Sequence, residues 1–228
     1  MNARTENCPL LEIRSLSKEY DQPGGKITAL ELEHLDAGRG EAIAVTGPSG
    51  SGKTTLLDIL AGISAPSGGN VRFGGVDLAS LGGMSSSWRA ENVGYVFQDI
   101  NLLPDFDILE NVMLAAEISG VPEEEIPERS ASLLDRLGLA GRRNHRPAGL
   151  SLGERQRAAV ARAVVRRPPL VLADEPTASL DAGNSEIVMD MLLELCAESQ
   201  TLLLVATHDE AVIERFPRRV GLRRPGAR

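Results

Sequence analysis

Short apolar runs recur along the chain at Leu10 to Ile13, Ile27 to Leu32, Ala42 to Thr46, Val93 to Phe97, Leu170 to Ala173 and Leu202 to Ala206, most of them bounded by Gly, Pro or polar clusters. Runs of this length, rich in Leu and β-branched residues, read as strands. The runs at 42–46, 170–173 and 202–206 are almost wholly apolar, as expected of central parallel strands covered by helices on both faces. Helical periodicity and end signals pick out Lys53 to Ala61, Ile108 to Ser119, Glu128 to Leu137, Gly153 to Arg166, Ala182 to Glu198 and Glu210 to Arg215.

The predicted class is therefore α/β. Between about residues 99 and 165 the alternation of strand and helix gives way to successive helices broken by Pro104, Pro122, Pro127, Gly138 and Gly141. This predicts one domain over 1–228, with a helical subdomain at about 99–165 inserted into a core of about 1–98 and 166–228. The acidic run Glu123, Glu124, Glu125 reads as a solvated helix start, because acids suit a helix N-terminus. No repeat, low-complexity tract or heptad run interrupts the pattern.

Composition narrows the partners. At 228 residues the chain can bury a full core without staples. Lys plus Arg number 24 against 32 for Asp plus Glu, a net charge of −8, so the basic footprint of a nucleic-acid binder is missing globally. The exception is the C-terminal set Arg215, Arg218, Arg219, Arg223, Arg224 and Arg228, which reads as a solvated end or as a contact for acidic protein or lipid headgroups. Two cysteines, Cys8 and Cys196, are too few for a disulfide framework and read as inert thiols in a reducing compartment. No stretch approaches the ~18 apolar residues of a membrane span. The expectation is a soluble, cytoplasmic chain that serves any membrane process through a partner.

Gly47-Pro48-Ser49-Gly50-Ser51-Gly52-Lys53-Thr54, followed by Thr55, matches G-x-x-x-x-G-K-S/T and lies between an apolar run and a predicted helix. Glycines let the backbone curl so that N–H groups point at phosphate oxygens, and the helix adds its positive dipole end. Lys53 is expected to bridge the β- and γ-phosphates, and the Thr54 hydroxyl to ligate Mg²⁺. A second apolar strand ends in Asp174-Glu175. Adjacent residues at a strand end diverge, so Asp174 can serve the metal shell while Glu175 reaches the place of an attacking water.

Leu150-Ser151-Leu152-Gly153-Glu154-Arg155-Gln156-Arg157 stands shortly before that strand. Gln98 follows the run at 93–97, Ala178-Ser179-Leu180-Asp181 follows Pro176, and His208 follows the run at 202–206. In order and spacing these resemble the ABC ATPases along nearly the whole chain. The resemblance implies a P-loop NTPase, RecA-like core with an antiparallel β subdomain and the inserted helical subdomain. It further implies a head-to-tail dimer, with two ATP molecules sandwiched between the phosphate loop of one subunit and the Ser151, Gly153 and Glu154 segment of the other. It also assigns roles: Glu175 as general base, Gln98 on Mg²⁺ and the water, His208 on the γ-phosphate, Asp181 across the dimer, and Tyr20 stacked on adenine. The common signature carries Gly where this chain has Leu152. A Cβ there restricts conformation and clearance, so Leu152 is expected to slow turnover and Leu152→Gly to quicken it.

The segment Asn101 to Val112 and the tripeptide His145-Arg146-Pro147 resemble the lipoprotein-releasing and macrolide-efflux branch, the LolD and MacB type. That branch implies an integral-membrane permease partner at the cytoplasmic face of the inner membrane, with substrate contacts on the partner. Leu103, Phe106 and Leu109 could form a socket for the permease's short cytoplasmic helix or could pack the helical subdomain. His145, with no second His or Cys spaced for a metal, reads as surface. A cell-division ATPase of the FtsE kind would share every ATP-site residue. Cassettes of DNA repair or translation carry coiled-coil insertions or tandem copies that this pattern lacks.

Overall fold

A computed structural model describes residues 9–23, 25–81 and 86–225; Cys8 and Arg228 lie outside the described residues. The chain runs through β1 (Leu11–Gln22), β2 (Gly25–Ala37), β3 (Ala42–Thr46), α1 (Lys53–Leu60), β4 (Gly68–Phe73), β5 (Val76–Asp77), α2 (Ser86–Asn92) and β6 (Val93–Val96). It continues through α3 (Ile108–Ile118), α4 (Ile126–Arg136), α5 (Leu152–Val164), β7 (Leu170–Asp174), α6 (Ala182–Glu198), β8 (Leu202–Ala206), α7 (Glu210–Ile213) and β9 (Arg218–Gly221).

Two sheets result, an antiparallel one in the order β2-β1-β4-β5 and an all-parallel one in the order β6-β7-β8-β3-β9. Every residue of β7 and β8 is buried, because both faces of the parallel sheet are covered. Ile43, Val45, Leu172 and Leu204 face α1 and the antiparallel sheet, where Leu56, Leu57, Leu11, Ile13 and Phe73 complete one core. Ala44, Val171, Ala173 and Val205 face the other way into a second core shared with α3 to α6. Alternate residues of one strand thus serve two cores, as a period of two requires.

The apolar runs locate the central strands but underestimate the outer ones. β1 and β2 pair antiparallel from Leu11↔Ala37 to Gln22↔Gly25, far beyond their apolar stretches, since only alternate positions such as Leu11, Ile13 and Leu16 are buried. β4, β5, α2 and β9 carry too few apolar residues to register as runs. β9 corrects the reading of the arginine-rich end: Arg218 and Arg219 lie in an edge strand parallel to β3, and Arg218 bonds Glu41 Oε2 at 2.7 Å. Arg215 pairs with Asp190. Pro127, expected to break a helix, instead lies in the first turn of α4, where its missing N–H has no helical partner to lose. The acidic run 123–125 is an exposed 3-10 turn leading into that helix.

The helices of 99–165 are not detached from the sheet. A side chain at Gly94 of β6 would collide with the Ala163 carbonyl, so α5 rests its backbone on the strand. Cys196 is buried, and that burial pushes its thiol up to about 12, far from the thiolate that reactivity needs. Among the described residues no helix is long and apolar enough to cross a membrane.

Candidate nucleotide site

β6, β7, β8 and β3 are consecutive parallel neighbours. Gln98, the Asp174-Glu175 pair, His208 and the loop 47–54 therefore all leave carboxyl ends of one sheet, the side on which open α/β sheets carry ligands.

The loop turns from β3 into α1 through Gly47, Gly50 and Gly52, with φ of 151°, 76° and 91°. A side chain at Gly47 would come within 2.5 Å of both Leu222 O and Ser51 Oγ. No side chain caps α1 at Gly52, so its first N–H groups are available to an anion. Lys53 Nζ donates to Gly47 O at 3.0 Å and lies 3.8 Å from Glu175 Oε1. Pro48, Ser49, Ser51 and Thr55 complete the loop and the first turn; Ser51 N donates to Pro48 O at 3.1 Å, and the buried Ser51 Oγ has no hydrogen-bond partner.

Asp174 ends β7 opposite Ala206. Glu175 then enters the left-handed region at φ 45°, which costs a non-glycine residue about 1–3 kcal/mol. Its N–H donates to Ala206 O at 2.8 Å, and its Oε1 lies 2.8 Å from His208 Nδ1. This turn is what separates the two neighbouring carboxylates. Asp174 is buried, and its Oδ1 has no hydrogen-bond partner. Burial holds its carboxyl above the usual range, the charges of Glu175 and Asp58 push the same way, and Thr54 and Lys53 oppose them. A partnerless buried carboxylate oxygen beside the Thr54 hydroxyl fits a hard divalent cation. Magnesium commonly takes one or two protein oxygens and completes its shell with phosphates and water. Among the described residues no cluster of three or more His, Cys, Asp or Glu could hold a metal, so such an ion would arrive with the nucleotide.

Ser151 caps α5 in a reciprocal box: its Oγ accepts from Glu154 N at 3.3 Å, while Glu154 Oε2 accepts from Ser151 N at 2.8 Å. Glu154 also takes Arg142 Nε at 2.9 Å; the Ser151 N–H, then the Ser151 hydroxyl and Arg142, hold its carboxyl below the usual range. Asp181 caps α6, accepting from Asn184 N at 2.9 Å and Asn184 Nδ2 at 2.7 Å. Those bonds hold its carboxyl low.

The helix starts at Ser151 and Asp181 touch. A side chain at Gly153 would lie 2.5 Å from Asn184 Oδ1. Sequence reasoning missed Asn184, whose only signal was its place three residues after a capping Asp. Leu152 lines a cleft of ≈ 410 Å³ between the α5 start, the segment 98–102 and the turn 175–180, which also includes Gln98, Gln156 and Glu175.

A family model described as ABC transporter matches residues 30–178. The chain belongs to this family. This ABC ATPase is 40% identical over 219 residues to the lipoprotein-releasing system ATP-binding protein LolD of Oleidesulfovibrio alaskensis, covering 96% of this chain and 95% of that one. It is 41% identical over 216 residues to the macrolide export ATP-binding/permease protein MacB of Sodalis glossinidius, covering 94% of this chain but 33% of MacB. Among solved structures it is similar to the dimeric post-hydrolysis state of the ATP-binding cassette MJ0796 bound to ADP and Pi, with a TM-score of 0.85, 34% identity and coverage of 93% and 94%. The chain is accordingly an ATP-binding, ATP-hydrolysing subunit of an ABC transporter of the LolD/MacB branch.

Tyr20 of the ABC ATPase lies on β1, 42% exposed, with Lys18 Nζ 5.0 Å above its ring. Leu103 and Phe106 are each 40% exposed, whereas Leu109 packs against the helical core, so the three residues divide between the two expectations.

Proposed function

We propose that the chain works as a head-to-tail homodimer that hydrolyses ATP to drive an integral-membrane permease subunit, in lipoprotein release or efflux, from the cytoplasmic face of the inner membrane. The observation that carries the hydrolytic part is the convergence of Lys53, Asp174, Glu175, His208 and Gln98 at four neighbouring strand ends.

ATP seats its phosphates in the loop 47–54 and draws Lys53 off Gly47 O and away from Glu175. Thr54, Asp174 and Gln98 would hold magnesium, which neutralises phosphate charge when bound. Glu175 orients a water and accepts its proton as the water oxygen bonds to the γ-phosphorus. The bond to the bridging oxygen then breaks, leaving ADP and phosphate. His208, next to Glu175, is placed to donate to a γ-phosphate oxygen, and Tyr20 to stack on adenine. Ser151, Gly153 and Glu154 at the α5 start of the second copy close the site, with Asp181 across the interface, so only the triphosphate joins the halves.

The two relatives named for lipoprotein release and macrolide export support the choice of branch. Leu103, Phe106 and an apolar groove lined by Ile63, Phe97, Ala115 and Ile118 suit a short helix of the permease. Light scattering of Glu175→Gln tests the dimer: ATP with Mg²⁺ should convert it from monomer to a stable dimer, and a persistent monomer rejects the sandwich. Co-purification from solubilised membranes with an integral-membrane permease subunit tests the partner, and its recovery without any such subunit counts against it.

A further inference from the structure

Gln98 is tethered to the rest of the molecule by an unusual turn. Ile100 and Asn101 both have positive φ, 56° and 51°. Asn tolerates that conformation, but a β-branched residue there is a genuine outlier, and two in succession need an external hold. The hold comes from α5. Arg162 Nη2 donates to Ile100 O at 2.8 Å, and Nη1 donates to Asn101 O. Among the described residues no carboxylate lies within ion-pair distance of this guanidinium, and burial lowers its pKa. A half-buried charge without a counterion is costly, and here its fork is matched to two carbonyls, a geometry that the single ammonium of Lys cannot reproduce.

Arg162 and Ser151 share one helix. Ser151 is the cap of α5, and Arg162 stands eleven positions on, about 16 Å along the axis at 1.5 Å per residue. A rigid rod therefore has its head at the surface offered to the second copy's nucleotide and its guanidinium on the turn that carries Gln98. The cleft between the two ends is lined by Gln156, whose buried Nε2 has no hydrogen-bond partner.

We propose that Arg162 is a positioning residue that couples the two ATP sites of the dimer: the shift of α5 when its Ser151 end meets the partner's nucleotide is passed through Arg162 to Ile100 and Asn101, and so sets Gln98 in the chain's own site. The proposal rests on the reading of Gln98 as a residue of the hydrolytic site and of Ser151 as a contact in trans. The guanidinium holds the carbonyls of Ile100 and Asn101, so its proposed action runs through Gln98.

The test compares wild type, Arg162→Met, Arg162→Lys, Gln98→Ala and the Arg162→Met/Gln98→Ala double variant in the full chain. Arg162→Met should lower kcat roughly 10- to 100-fold, the range typical of residues that orient a catalytic or metal-binding group. It should leave the affinity for a fluorescent ATP analogue within about twofold and reduce the Hill coefficient for ATP toward one. Amide exchange over 99–102 should quicken in the same variant, and Arg162→Lys should retain at most part of the protection. The double variant should be no slower than Gln98→Ala, because both changes act on one group. Multiplying effects, unchanged exchange over 99–102 or an unchanged Hill coefficient would overturn the coupling. If Arg162→Met does not fold, the same readouts on Arg162→Lys decide. Should Gln98→Ala itself turn over normally, the underlying role of Gln98 fails; should Gln98→Ala be slow and the Arg162 variants normal, only the coupling fails.

Discussion

His208 Nδ1 lies 2.8 Å from Glu175 Oε1, the same oxygen that Lys53 Nζ approaches at 3.8 Å. Two groups assigned to the γ-phosphate are thus gathered on the carboxylate assigned to the water. In the proposed cycle nucleotide binding exchanges these contacts for phosphate contacts, and loss of the imidazole removes one of them. His208→Ala should therefore bind ATP about as well as wild type, since Lys53 and the loop N–H groups remain. Its kcat should fall about 10²- to 10³-fold, the loss typical of one transition-state donor. A variant with weakened ATP binding and unchanged kcat would place His208 outside the reaction.

A Cβ added at Gly153 would lie 2.5 Å from Asn184 Oδ1 and 2.8 Å from its Cγ. Gly153→Ala must displace the Asn184 side chain from its bond to Asp181 or push the α5 and α6 starts apart, at a cost of about 1–3 kcal/mol. For a chain of this size that corresponds to a fall in thermal midpoint of about 2–4 °C per kcal/mol. Asn184→Ala in the same chain removes the collision and should restore most of the lost stability. Additive destabilisation in the double variant would show that the collision is not the cause.

Leu152 bears on the cleft facing 98–102 and 175–180, which alters what its removal should do. Leu152→Gly empties apolar volume inside the subunit and adds backbone freedom to the first turn of α5, and should cost about 1–3 kcal/mol. If the Leu152 Cβ limits the approach of the second copy's phosphate, steady-state assays should nonetheless find faster turnover in Leu152→Gly, and equal or slower turnover would reject that argument.

The capping box makes part of the stability pH-dependent. The Glu154 carboxyl is held below the usual range by the Ser151 N–H first, then the Ser151 hydroxyl and Arg142. A depressed folded pKa adds stability above the unfolded pKa and loses it as pH falls through the folded value. Glu154→Gln keeps the box geometry without the charge. Urea midpoints should differ most near pH 7, by at most about 1 kcal/mol because Arg142 is half exposed, and converge on acidification. A gap that widens toward acid would contradict the assignment.

Much of the site is legible in the sequence because its parts are local. Gly47 to Thr54 specify a turn and a helix start within eight residues, and Asp174-Glu175 follow an unbroken apolar strand that can only be central. The ties between those parts are not legible. Arg162 reaches Ile100 and Asn101 across more than sixty residues, and Asn184 meets Gly153 across thirty-one (184 − 153); neither pairing leaves a periodicity. The outer strands fail for a different reason. β9 contributes two arginines and one valine to a sheet edge, and its strand character comes from pairing with β3 rather than from its own composition.

That edge strand carries a consequence for the phosphate loop. Leu222, just past β9, donates its N–H to Thr46 O at 2.7 Å, its carbonyl crowds Gly47, and Arg224 Nε reaches Ser49 O at 3.2 Å. The nucleotide pocket is therefore walled from behind by residues about 175 positions downstream of the loop. Removing Leu222 to Arg224 is active-site engineering, and anything joined directly after Arg224 is joined beside the phosphate loop.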